Sequence, residues 1–190
     1  MIKETKILGI MGVALLSGCS SSVNPLLDKE FDTPFNLPPF EQIQNNNYVP
    51  AFEAAIRESN EAIALIVQNS AEPTFDNTIV PFDRCGLHLS RVSSIFFNLM
   101  ETDVTDTMNV MAETILPMLS AHNDDVAFNE GLFKRIKHVY DNRAAAGLDS
   151  VQMRVLELYY KDFIRSGALL GKAEKDRLRE INTKLSLLSH

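Results

Sequence analysis

From Tyr48 onward the apolar positions of this chain recur every three or four residues, and they do so in six successive stripes. Phe52, Ile56, Ser59, Ile63 and Ile66 form the first. Cys85, Leu89, Val92, Phe96 and Leu99 form the second, and Met108, Met111, Ile115 and Met118 the third, with Pro117 expected to kink its last turn. Phe128, Leu132, Ile136 and Val139 form the fourth. Val151, Val155, Tyr159 and Phe163 form the fifth, with Asp149 or Ser150 as N-cap and Gly167 at the C-terminal turn. Leu178, Ile181, Leu185 and Leu188 form the sixth. Spacing by three and four places these residues on one face of a helix, and no stretch alternates with the period of two that a strand requires. The pattern predicts an all-α, bundle-like domain of about six amphipathic helices over 48–190. The Met and aromatic residues on the stripes read as core fill first and as ligand contacts second. The sixth stripe is still running at Leu188 and meets no Gly or Asn stop signal. Its apolar face is expected to want a partner surface from a larger assembly.

The chain opens differently. Lys3 and Lys6 make a basic start, and Ile7 to Leu16 is an apolar run too short to cross a bilayer core of about 30 Å. It suits the hydrophobic region of a secretory signal over residues 1–18. Leu16-Ser17-Gly18-Cys19 follows directly and resembles the bacterial lipobox, in which cleavage precedes a cysteine that then receives lipid. An ordinary cleaved signal with an incidental cysteine is the blander alternative. Several acyl chains on Cys19 would anchor stably, because each buried CH₂ contributes about 0.8 kcal/mol. Residues 19–47 hold Pro25, Pro34, Pro38 and Pro39 and close on Asn45-Asn46-Asn47, which reads as a tether and extended docking arm. The expected location is the bacterial cell envelope, exported and held at a membrane by lipid.

The net charge of −7 argues against nucleic acid as a partner and against a basic membrane-binding face. Lipidation of Cys19 leaves Cys85 as the one remaining thiol, so no intrachain disulfide is expected. Cys85 lies on an apolar stripe and reads as a small buried hydrophobe rather than a reactive thiol.

Helical zinc peptidases need two histidines at i and i+4 with a glutamate beside the first. His88, His122, His138 and His190 do not meet that spacing. His122-Asn123-Asp124-Asp125 reads as a polar turn between helices, with Asn123 or Asp124 capping the next one. There is no Gly-x-Ser-x-Gly, P-loop or GxGxxG pattern. The alternating charges from Lys172 to Glu180 read as an exposed helix face. From these residues alone no catalytic residue and no metal ligand is expected in the chain.

Five segments nevertheless carry a resemblance. They are Asn24-Pro25-Leu26 with Pro38-Pro39-Phe40-Glu41-Gln42-Ile43 and Tyr48-Val49-Pro50-Ala51-Phe52; Glu72-Pro73-Thr74-Phe75-Asp76-Asn77-Thr78-Ile79; Leu116-Pro117-Met118-Leu119-Ser120; Asn129-Glu130-Gly131-Leu132-Phe133-Lys134-Arg135-Ile136; and Tyr159-Tyr160-Lys161-Asp162-Phe163-Ile164-Arg165-Ser166-Gly167-Ala168 with Arg177-Leu178-Arg179-Glu180-Ile181-Asn182. In that order they resemble the opening of the thimet oligopeptidase family, in particular its bacterial peptidyl-dipeptidase and oligopeptidase A branch. The resemblance implies a zinc metallopeptidase that cuts short oligopeptides in a deep channel, with the amino-terminal helices as one wall. It also implies that the zinc site, a His-Glu-x-x-His helix with a downstream Glu ligand, belongs to a carboxy-terminal half. None of those residues is present here, so no zinc ligand or general base is carried over. The expectation is the first quarter to third of such an enzyme, inactive on its own. The alternatives are a noncatalytic, lipid-anchored helical binding module and an unrelated helical lipoprotein.

Overall fold

A computed structural model describes residues 24–28 and 30–188. The signal segment 1–18, the lipidation site Cys19 and His190 lie outside the described residues. Among the described residues there are helices and turns and no strand. None of those helices is long and apolar enough to cross a membrane.

The arm takes three single 3₁₀ turns, Pro25–Leu27, Pro34–Asn36 and Phe40–Gln42, rather than running extended. Proline at the start of the first two presets φ for the turn. The arm is docked along its length. Leu26 is fully buried and Phe31 nearly so. The Asn24 amide donates to the Asn47 carbonyl at 2.7 Å. Arg91 donates to the Asp28 carbonyl at 2.6 Å and lies over the Phe31 ring.

The helices are α1 (Asn45–Gln68), α2 (Val80–Cys85), α3 (Leu87–Thr102), α4 (Asp106–Ala127), α5 (Glu130–Asp141), α6 (Ser150–Arg165) and α7 (Lys172–Leu188). Three boundaries differ from the sequence expectation. Asn45-Asn46-Asn47 opens α1 instead of closing the arm, because the Asn47 side chain accepts from the Gln44 N–H at 2.7 Å in a capping box. The second stripe is broken at Gly86, which ends α2 and precedes α3. The third stripe does not end near Pro117; α4 runs on through His122-Asn123-Asp124-Asp125 to Ala127. That polar run is therefore helix, and Asn129 caps α5 instead, accepting from the Leu132 N–H at 2.9 Å. Asp149 caps α6 as expected, and Gly167 closes its end at φ +97°.

Among the described residues two hydrophobic cores result, and α1 serves both. Its first half joins Leu26 and Phe31 of the arm to Val92 and Phe96 of α3 and Met108 and Ile115 of α4. Its second half joins Ile63 and Ile66 to Ile79, Leu132 and Ile136 of α5, and Leu156 and Phe163 of α6. Phe96 sits edge-on to Tyr48 and Phe52 at 5.1 and 5.7 Å, a geometry that ring quadrupoles favour.

The sixth stripe behaves differently from the others. α7 packs on α4 through polar side chains: Asn182 donates to Asp124 at 2.6 Å, Arg179 pairs with Asp125 at 2.7 Å, and both Arg179 and Lys175 lie over the Phe128 ring. Ile181, Leu185 and Leu188 are 39%, 55% and 79% exposed.

Candidate functional site

A cleft of about 800 Å³ opens between the two cores. Ser59 and Ile63 of α1, Phe82, Asp83 and Cys85 of α2, Leu89 and Phe97 of α3, His122 and Val126 of α4, and Tyr159, Asp162 and Phe163 of α6 line it. The break at Gly86 sits on its wall, between α2 and α3.

The element Glu72 to Ile79 fixes the approach to that wall. Thr74 and Asn77 cap each other, with Asn77 N–H donating to Thr74 Oγ1 at 3.2 Å and Thr74 N–H donating to Asn77 Oδ1 at 2.9 Å. Asn77 Nδ2 reaches back to the Glu72 carbonyl at 2.8 Å. Arg135 of α5, buried, donates to the carbonyls of Asn69 and Ala71 and to Asn77 Oδ1. A single guanidinium thus gathers the loop that leads into the π-helical turn Phe75–Ile79 and α2.

Inside the cleft three titratable groups are held toward their neutral forms. Tyr159 donates to Asp83 Oδ1 at 2.6 Å. Burial, reinforced by that bond, pushes its hydroxyl well above the usual tyrosine range. Burial likewise pushes the Cys85 thiol up, although Ser59 donates to its sulfur at 3.9 Å. The thiol is half-buried rather than sealed in the core. A thiol pushed up in this way is a poor nucleophile. His122 is buried, and desolvation lowers its pKa against the opposing pull of Asp125. Its Nδ1 has no hydrogen-bond partner among the described residues. The cleft can therefore accommodate apolar side chains and offer hydrogen bonds, with the exposed carboxylates of Asp83 and Asp162 beside it.

The histidines singled out from the sequence do not converge. His88 is bound between Glu58 Oε2 at 2.8 Å and the Leu26 carbonyl at 3.0 Å. His138 lies 3.3 Å from Glu72 Oε1, at a separate surface. Among the described residues His122 is the one histidine that lines the cleft. No three His, Cys, Asp or Glu side chains among the described residues are grouped to hold a metal ion. The described residues do not fit a zinc ion. No local residue pattern marks the cleft itself. Asp83 and Tyr159 are 76 residues apart, and neither spacing nor residue type marks them as a pair.

No family model matches the chain. Individual proteins do. It is 34% identical over 167 residues to a dipeptidyl carboxypeptidase of Salmonella typhimurium, a match that covers 88% of this chain and 24% of that protein. It is 32% identical over 169 residues to the dipeptidyl carboxypeptidase of Escherichia coli, covering 89% and 25%. It is also 32% identical over 167 residues to the Escherichia coli oligopeptidase A, covering 88% and 24%. The chain thus spans about a quarter of the length of the relatives it matches. Along nearly all of the chain, then, its homologues are peptidases of the thimet oligopeptidase family, matched over their amino-terminal part.

Proposed function

We propose that this chain is the amino-terminal helical part of a zinc-dependent oligopeptidase of the peptidyl-dipeptidase type, acting on short peptides, and that it forms one wall of the substrate channel. The observation that carries the reading is the match to about a quarter of each peptidase over 88% of this chain. The cleft between the two cores, apolar with hydrogen-bonding groups set into it, suits contact with an extended peptide. Zinc and the general base are assigned to a carboxy-terminal catalytic half, because the described residues offer no metal-holding cluster. The exposure of Ile181 and Leu188 on α7 favours this over a self-sufficient binding module, since such a module would cover them. Lipid on Cys19 would hold the whole at the bacterial envelope.

The test is direct. The chain purified alone is expected to carry no stoichiometric zinc by atomic absorption and to release no dipeptide from blocked tripeptides or longer substrates. Adding the remaining three quarters of a dipeptidyl carboxypeptidase should restore cleavage. Tight zinc binding or dipeptide release by the chain alone would overturn the assignment.

A further inference from the structure

We propose that the turn at residues 33–40 is a membrane-seating surface, whose Phe35, Leu37 and Phe40 side chains enter the interfacial layer of a zwitterionic phospholipid bilayer. The proposal rests on the reading of Cys19 as a lipidated residue. Phe35 is 95% exposed, with Leu37 and Phe40 at 55% and 52%. Its exposure is built into the backbone. Phe35 sits at φ +62° and Asn36 at φ +55°, in the left-handed region that a bulky side chain adopts only when its surroundings force it. The forcing bonds are present. Phe31 N–H donates to Asn36 Oδ1 at 2.6 Å, Asn36 N–H to the Thr33 carbonyl at 3.0 Å, and Thr33 Oγ1 to the Leu37 carbonyl. A turn strained to hold an aromatic ring in water implies a surface that receives the ring.

Chain continuity says which surface. Asn24 follows Cys19 by five residues, and a fully extended chain covers at most about 3.6 Å per residue, so Asn24 lies within about 18 Å of the lipid. The arm then tracks α3, from His88 at Leu26 to Arg91 at Asp28, and Phe40 borders a groove shared with Ile95 and Leu99. That path of roughly ten helical residues is about 15 Å, so the turn stays near the same bilayer. Charge sets the lipid. Asp28, Glu30, Asp32 and Glu41 flank the apolar residues against the single Lys29, which disfavours anionic headgroups and leaves zwitterionic ones.

The chain has no tryptophan, so one reporter can be placed without background. Phe35→Trp and, as a control on exposed Val151 of α6, Val151→Trp are purified from bacterial membranes and reconstituted in phosphatidylcholine vesicles with brominated acyl chains. Emission from the Phe35→Trp variant is expected to shift to the blue and lose more than half its intensity to bromine. The Val151→Trp control should stay unshifted and unquenched. Replacing phosphatidylcholine by phosphatidylglycerol should weaken the quenching. A reporter in the turn that is quenched no more than the control, or is shielded without lipid by a second copy or a covering segment, overturns the proposal, as does stronger quenching in phosphatidylglycerol. Acylation is read separately from the mass of the Cys19 peptide. If the chain is unacylated and the turn reporter is still quenched by added vesicles, the anchor is retired and the turn supported. If the chain is acylated and the turn reporter is not quenched, the turn alone is retired.

Discussion

Arg135 does more for this molecule than its place on an amphipathic helix suggests. Its three hydrogen bonds go to the carbonyls of Asn69 and Ala71 and to the Asn77 side chain, 58 to 66 residues away. Removing it takes a donor from the Asn69 and Ala71 carbonyls, while Asn77 Oδ1 keeps the Thr74 N–H and the Thr78 hydroxyl; a charged hydrogen bond of this kind contributes about 1.5–3 kcal/mol. Arg135→Ala is expected to lower stability by about 3 kcal/mol in urea unfolding and to deprotect the amides of residues 69–77 to hydrogen exchange. Arg135→Lys, lacking the planar fork, should recover only part of either loss. His122 gives a pH signature. Its pKa is lowered in the folded chain by desolvation, so the unfolded chain takes up its proton first as pH falls. Stability should therefore decline on acidification from neutral pH through the unfolded histidine range at about 6.5, and keep declining until the folded form also protonates. His122→Gln should flatten that part of the pH–stability curve; an unchanged slope would show that His122 is not its source.

At the scale of elements, α7 joins the fold by its charged side. Arg179, Lys175 and Asn182 meet Asp125, Phe128 and Asp124, and the apolar residues Ile181 and Leu188 are left outside. Isolated chain should self-associate through this face. Ile181→Glu with Leu188→Glu should restore a monomer by analytical ultracentrifugation with little change in helix content by circular dichroism, since neither residue supports the core. If the double variant self-associates as before, another surface is responsible. The helices themselves were largely legible, because burial in α1, α3, α4 and α5 follows the three-and-four spacing. The exceptions have physical causes. Val151 fits the fifth stripe but is 69% exposed, because it sits in the first turn of α6, ahead of the buried Leu156 and Phe163. His122-Asn123-Asp124-Asp125 looks like a turn by composition, yet tertiary partners on α7 satisfy Asp124 and Asp125 and keep the run helical. Phe128, read as the head of the fourth stripe, instead ends α4 and becomes the platform for two cations.

The whole molecule is organised around α1, whose 24 residues extend about 36 Å and place one half in each core. Damage to either core should therefore be felt in both. Phe52→Ala, in the first core, is expected to cost about 3–5 kcal/mol. It should lower hydrogen-exchange protection in α5, whose buried apolar residues belong to the second. Protection in α5 that survives the substitution would show two independently melting units. The cleft between the cores was not legible in the sequence for the same reason. It is assembled from α1, α2, α3, α4 and α6 by long-range packing, and its polar pair joins residues that no local pattern connects. What the sequence did carry was the order of five family-like segments. One of them, Glu72 to Ile79, proves to be a self-capped turn clasped by Arg135, so its residue types follow from its shape. The arm adds a mechanical consequence. Tension applied at the amino end enters through Asn24, Leu26 and Asp28, which are hydrogen-bonded to Asn47, His88 and Arg91, with Leu26 and Phe31 also seated in the first core. These fasteners are loaded one after another, like a zip, whereas α1 behind them shares any load between both cores. In an optical trap the arm should peel away as a separate early event, and because Leu26 and Phe31 leave the first core with it, the second rip should come at a lower force than in a chain whose arm is held in place.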